Sequence, residues 1–297
     1  MNALPPRAEP ADESARREIE DLRRQVETLQ AELDETNRGV LALYAELDTQ
    51  AQQLRQATDL KSRFLAYMSH EFRTPISSIR SLSRLLLDRL DGPLTDEQEK
   101  QVRFIQTTAS EFSEMVDDLL DLAKVEAGRV EISAAWFDMV DLFSALRGMF
   151  KPVLTNPEVA LVFEEPQSTS RLYTDDKKLS QILRNYISNA LKFTIKGEVR
   201  VSATQNGDES ITFAVSDTGI GIDEKFHHAI FHDFAQLDSP IQKRFRGTGL
   251  GLSLSKRLAE LLGGSVGLES RLGTGSTFFV TVPLRLPGAS RSEADEG

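Results

Sequence analysis

The stretch 64–82, FLAYMSHEFRTPISSIRSL, sets His70 beside Glu71, with Thr74 one turn on and Pro75 next to it. A neutral imidazole nitrogen is a nucleophile near pH 7, and a neighbouring carboxylate accepts a hydrogen bond from the other ring nitrogen, which selects the tautomer. His70 and Glu71 therefore have the parts needed to accept a transferred group. Taken alone, the same pair also reads as an ordinary surface pair on a helix.

A second constellation lies in LSQILRNYISNALKFT, residues 179–194. Leu179, Ile182, Leu183, Tyr186, Ile187 and Ala190 form one apolar face at helical spacing. Asn185, Asn189 and Lys192, at i, i+4 and i+7, share the other. An amide oxygen is a hard donor suited to Mg²⁺, and lysine is a point charge for phosphate. Alone, this too is a solvated polar face. Downstream, SDTGIGI puts Asp217 ahead of Gly219 and Gly221, and RGTGLGLSLS supplies Gly247, Gly249 and Gly251 before a helical pattern. Glycines let the backbone approach phosphates, and helix N-termini favour anions. One such loop is weak evidence. Two of them about 30 residues apart, after an Asn-x3-Asn helix, make a nucleotide-binding pattern. His228 and His232 have the i, i+4 spacing of zinc ligands, but no third ligand is evident, and exposed loop residues are the preferred reading.

Stepping from the reactive residues to their supports, a heptad runs from Ile19 through Val26, Leu33, Val40, Leu47 and Leu54, with Leu22, Leu29 and Leu43 on the second seam. This pattern predicts a coiled coil, most simply a parallel dimer. Gly39 interrupts it, either as a weak point or as a signalling hinge. Leu65, Phe72, Ile79 and Leu86 keep the period, with Met68 and Leu82 beside them, so His70 points away from the core seam. Gly92 and Pro93 form a turn, and Thr95 with Gln98 reads as a capping box that starts a second helix. Two such hairpins should pair into a four-helix bundle. After about Trp136 strand-like runs appear, VALVFEE, EVRVSATQ, SITFAVSD and GSTFFVTVPL, with helices between them.

The expected organisation is a disordered N-terminus (1–15), a coiled-coil helix (16–60), a dimerisation hairpin carrying His70 (61–130), a catalytic nucleotide-binding domain (137–286) and a disordered tail (287–297). The fold class is therefore an all-α coiled coil and four-helix-bundle hairpin, followed by an α/β two-layer sandwich.

The chain has 297 residues, no cysteine and a net charge of −11. The acidic balance argues against nucleic acid or anionic membrane as a general partner. The lack of cysteine excludes disulfides and suits a reducing cytoplasm. No apolar run reaches the length of a membrane span.

The order of these motifs resembles the sensor histidine kinases, whose ATP-binding domain has the Bergerat fold of the gyrase and heat-shock-ninety type. SHEFRTP is similar to that family's histidine box, NYISNALKF to its asparagine box, DTGIGI and GTGLGL to its glycine boxes, and FHDFAQLDS to its phenylalanine box. The resemblance covers about residues 60–285 and implies ATP and Mg²⁺ as cofactors. It implies His70 as phosphoacceptor, Glu71 as acid/base partner and Thr74 as the residue that positions water in a phosphatase reaction. Asn189 would hold Mg²⁺, Asn185 would help order the metal, and Lys192 would touch phosphate. Asp217 would accept the adenine amino group, with Gly219 and Gly221 turning around the base. Phe193, Gly247, Thr248, Gly249, Leu250 and Gly251 would line the nucleotide. A lid over about 223–247 would be packed by Phe231 and Phe234, with Lys243 or Arg244 near the γ-phosphate. Arg246 departs from the glycine common before the second box. The implied activity is autophosphorylation of His70 followed by transfer to an aspartate of a separate response regulator, docked on the helix surface below His70, around Ile76 to Arg84 with its partner helix. Phosphatase action on that regulator and a homodimer are also implied, and the coil is expected to receive a signal from an upstream sensor protein. A serine-protein kinase or ATPase on the same ATP fold, or an ATP-binding scaffold without turnover, are the alternatives.

Overall fold

In the computed structural model, helix α1 runs from Pro10 to Leu87. The structure describes residues 10–90, 92–154, 156–164, 171–207, 209–235 and 248–286. The expected tail at 287–297 and the first nine residues lie outside these. The start of α1 falls inside the stretch expected to be disordered; proline is compatible with the first helical turn, where its missing N–H has no intrahelical partner. The chain divides into two compact units, Met1–Leu60 and Lys61–Gly297. In the first, Ile19, Leu22, Val26, Leu29, Leu33, Leu43, Leu47 and Leu54 are all exposed, so the heptad stripe is uncovered in one copy of the chain.

In the second unit, the lower part of α1 faces α2 (Asp96–Glu126). The capping box forms: the Thr95 hydroxyl accepts from Gln98 N at 3.3 Å, and the Gln98 side chain accepts from Thr95 N at 2.9 Å. Among the described residues of α1, Ser69, Ile76 and Ser83 are buried, seven apart; on α2 Val102, Ala109, Val116 and Ala123 keep the same spacing, with Leu122 buried beside the last. Ile76, Ala109 and Val116 make the small core of the hairpin. The stripe that continues the coil heptad is a different one, expected to close between two hairpins. Phe72, Ile79, Leu82 and Leu86 remain 40% or more exposed. Phe72 reaches Phe112 only at the edge, with ring centroids 5.8 Å apart.

The remaining elements are β1 (Ala135–Asp138), α3 (Met139–Phe150), β2 (Val159–Phe163), β3 (Arg171–Thr174), α4 (Asp176–Phe193), β4 (Gly197–Asn206), β5 (Ser210–Asp217), α5 (Gly251–Leu261), β6 (Ser265–Arg271) and β7 (Gly275–Pro283). Five strands form one sheet in the order β2-β4-β5-β7-β6, with β2 and β4 parallel and the other pairs antiparallel. β1 and β3 make a separate antiparallel pair. The sheet obeys the period of two. Val199, Val201, Ile211, Phe213, Val215, Val280 and Val282 are fully buried in one core with residues of α3, α4 and α5. On the other face hydroxyl ladders replace apolar packing: Thr212 with Thr281 at 2.7 Å and Ser216 with Thr277 at 2.9 Å. One face is covered by helices and the other is polar, which makes the expected two-layer sandwich.

The four strand-like runs are β2, β4, β5 and β7. β1, β3 and β6 were not read from the sequence, nor was α3. β1 and β3 are only four residues each. β6 is an edge strand with no fully buried residue, so its alternation is weak. No helix among the described residues is long and apolar enough to cross a membrane. Phe213→Ala empties the centre of the core and should destabilise the α/β part by about 3–5 kcal/mol, read as a lower midpoint in urea denaturation followed by circular dichroism.

Candidate functional site

His70 sits mid-helix on α1 with its side chain 79% exposed. Its Nδ1 lies 3.7 Å from Glu71 Oε1, so the other ring nitrogen, Nε2, is the one left toward solvent. The Thr74 hydroxyl donates to the His70 backbone oxygen at 3.4 Å. Arg73 pairs with Asp117 across the hairpin, which ties the turn after His70 to α2. His70, Arg73, Thr74, Ser77, Ser81 and Leu82 line a shallow surface groove.

The nucleotide-binding candidates come together on the α/β part. The Asp175 carboxylate caps α4 by accepting from Lys177 N and Lys178 N, and it also accepts from Ser133 N. All six expected apolar residues of α4 are buried. The helix is thereby locked in rotation, with Asn185, Asn189 and Lys192 on its half-exposed face. Asn185 Nδ2 donates to Ser255 Oγ at 2.9 Å, and Asn189 Nδ2 donates to Asn185 Oδ1 at 3.4 Å. Their oxygens are neutral hard donors, which fits Mg²⁺ shared with phosphate rather than a zinc site. Lys192 is half-buried, and burial lowers its pKa while Glu111 and Glu114 of α2 act against that shift. Its Nζ lies over the Phe193 ring, 5.9 Å from the centroid.

Asp217 ends β5. Its Oδ1 accepts from Gly219 N at 2.8 Å and Ser276 N at 3.3 Å. Burial raises its pKa, and the two backbone N–H groups oppose that rise. Among the described residues Oδ2 has no hydrogen-bond donor, so one oxygen is anchored and the other is available for a ligand donor. Gly221, at φ 66°, is required: a Cβ there would lie 2.0 Å from the Arg271 carbonyl oxygen. Thr248, Gly249 and Leu250 lead into α5, which begins at Gly251 rather than after it. Thr248 Oγ1 accepts from Leu250 N at 3.1 Å.

Lys243, Arg244, Arg246 and Gly247 lie outside the described residues. Of the expected lid aromatics, Phe231 packs against the core and Phe234 is 64% exposed at φ 60°. His228 and His232 are exposed, and no group of three metal-ligating side chains forms among the described residues.

Sequence reasoning missed Asp118, Ser255 and Gln181. Gln181 Nε2 donates to Asp121 of α2 at 2.9 Å. Thr248 Oγ1 donates to Asp118 Oδ2 at 3.4 Å, across 130 residues. In the sequence Asp118 is one acid in the run VDDLLD, and nothing in its spacing separates it from solvated neighbours. Burial pushes its carboxyl up to about 6; the Thr248 hydroxyl opposes this, and Asp121, Glu114 and Asp117 reinforce it. A carboxyl raised above its ordinary 3.8 in the folded state weakens that state above pH about 6, and the penalty disappears as the pH falls below the ordinary value. Asp118→Asn should therefore raise the melting temperature above neutral pH. The gain should shrink as the pH falls through about 6, measured by scanning calorimetry of both proteins across that range.

Residues 174–286 match the family model of the histidine kinase-, DNA gyrase B- and HSP90-like ATPases, and residues 60–128 match the His Kinase A (phospho-acceptor) domain. The circadian input-output histidine kinase CikA of Synechococcus elongatus is 39% identical over 231 residues, covering 76% of this chain and 30% of the relative. The autoinducer 2 sensor kinase/phosphatase LuxQ of Vibrio harveyi is 36% identical over 236 residues, 77% of this chain and 27% of the relative. Full-length ShkA, solved in complex with AMPPNP, superposes with a TM-score of 0.61 at 31% identity, over 76% of this chain and 46% of that one. The chain thus spans about a third of the length of these curated relatives. With the phospho-acceptor hairpin and the ATPase sandwich both matched, and in the order the motifs require, the chain belongs to the sensor histidine kinase family of two-component systems.

Proposed function

We propose that this chain transfers the γ-phosphoryl group of ATP to His70 and then passes it to an aspartate of a separate response regulator. The observation that carries the reading is an exposed imidazole, with Nδ1 facing Glu71, in a chain that also holds the half-anchored Asp217 and the Asn185–Asn189 face. Nε2 attacks the γ-phosphorus, the bond from that phosphorus to the β–γ bridging oxygen breaks, and ADP leaves with the bond's electron pair. Glu71 accepts the hydrogen bond of the Nδ1 proton and stabilises the charge that develops on the ring. Asp217 Oδ2 receives the adenine amino group, which discriminates the base by a charge-assisted bond. Asn189 Oδ1 is the atom that would hold Mg²⁺, with Asn185 helping to order the metal; the ion when bound would neutralise charge between the phosphates. Lys192 adds a positive charge at the same edge of the site.

The uncovered stripes are the support for a homodimer: the coil seam in the first unit, and Phe72, Ile79, Leu82 and Leu86 in the hairpin. Each is an apolar stripe left largely exposed in one copy of the chain. The groove beside His70 is the proposed dock for the regulator, and the coil is the proposed receiver of an upstream sensor's signal. A cytoplasmic setting is part of this proposal.

Incubation of the full chain with γ-labelled Mg·ATP should give a label that is acid-labile, alkali-stable and absent from His70→Gln. Label surviving in that variant points to the serine-kinase alternative, and bound ATP with no label to the scaffold. Thr74→Ala should slow dephosphorylation of the phosphorylated regulator about 10-fold or more, with autophosphorylation little changed, if Thr74 positions the attacking water. Equal loss of both rates would remove that role.

A further inference from the structure

Ser255 lies one turn into α5 and is only 2% exposed. Its Oγ donates its single proton to the Gly251 carbonyl oxygen at 2.8 Å. Toward Asn185, 2.9 Å away, it can then act only as an acceptor. The amide nitrogen of Asn185 must face Ser255, and the amide oxygen must face the other way. That oxygen meets Asn189, whose Nδ2 donates to it at 3.4 Å. The nitrogen of Asn189 is thereby occupied and Oδ1 is the atom left outward. Gly251 makes room for the relay: a Cβ on it would lie 2.3 Å from Asn185 Oδ1. The direction of every hydrogen bond follows from one buried hydroxyl that has already spent its proton.

We propose that Ser255 is a positioning residue for the metal: acting through Asn185, it sets the Asn189 amide so that oxygen rather than NH2 faces Mg²⁺. This rests on the reading of Asn189 as the metal-holding residue. An amide is nearly symmetric in shape, so packing alone does not choose between its two orientations; hydrogen bonding does. A flipped Asn189 would present two N–H donors to a cation. Partners that orient a metal ligand typically change metal affinity by about 10–100-fold when removed.

The test measures ADP affinity of the full chain by isothermal titration calorimetry, once with saturating Mg²⁺ and once with EDTA. The ratio of the two affinities is the metal's contribution. Ser255→Ala should cut that ratio about 10-fold and leave the EDTA affinity unchanged, and Ser255→Thr, which keeps the hydroxyl, should restore it. Ser255→Ala combined with Asn185→Ala should lose no more than Asn185→Ala alone, because the two act in series. A wild-type ratio in Ser255→Ala beside a collapsed ratio in Asn189→Ala would overturn the relay and leave the metal reading intact. Multiplying losses in the double variant, or a Ser255→Thr that behaves as Ala, would also overturn it, as would loss of the EDTA affinity in Ser255→Ala, which assigns a packing role. An unchanged ratio in Asn189→Ala would remove the metal reading itself and the relay with it.

Discussion

Helix α4 can bury Leu179, Ile182, Leu183, Tyr186, Ile187 and Ala190 in only one rotation about its axis, and that rotation decides where Asn185, Asn189 and Lys192 stand. The apolar face packs on the strands that also carry the rest of the site. Phe213 and Val215 of β5 lie in the same core, and β5 ends at Asp217. The packing that stabilises the domain is thus the packing that sets the distance from the Asp217 carboxylate to the polar face of α4. A change in the core is transmitted to the site as a displacement and not only as lost stability.

Polar contacts then tune what the core has placed. Asp217 is held by two backbone N–H groups on one oxygen, which oppose the rise that burial causes in its pKa. Asp118, drawn from water by the approach of α5 to α2, has one hydroxyl as partner, and burial raises its carboxyl to about 6. The contact between hairpin and sandwich therefore includes one element that neutral pH disfavours.

The hairpin shows how one repeat can serve two purposes. Ser69, Ile76 and Ser83 recur every seven residues, and so do Phe72, Ile79 and Leu86. The first set is buried and closes the hairpin within the chain. The second is bulky and stays uncovered. The two stripes lie on different faces of one helix, so closing the hairpin leaves the bulky stripe intact.

Much of this is legible in the sequence, because it depends on local period and local chemistry. The face of α4, the Thr95–Gln98 capping box, the four alternating strands and the order of the histidine, asparagine and glycine motifs are patterns within a few residues of one another. Which stripe closes the hairpin is not, since both share one period of seven. β1, β3 and β6 are not either, being too short or too weakly alternating to stand out before their partners are in place. The meeting of Thr248 with Asp118 across 130 residues, and of Asn185 with Ser255 across 70, leaves no trace in spacing. The linear chain determined which groups are available for the chemistry. Only the folded chain decided which of their oxygens and nitrogens are already engaged, because that depends on hydrogen-bond partners brought together by the core.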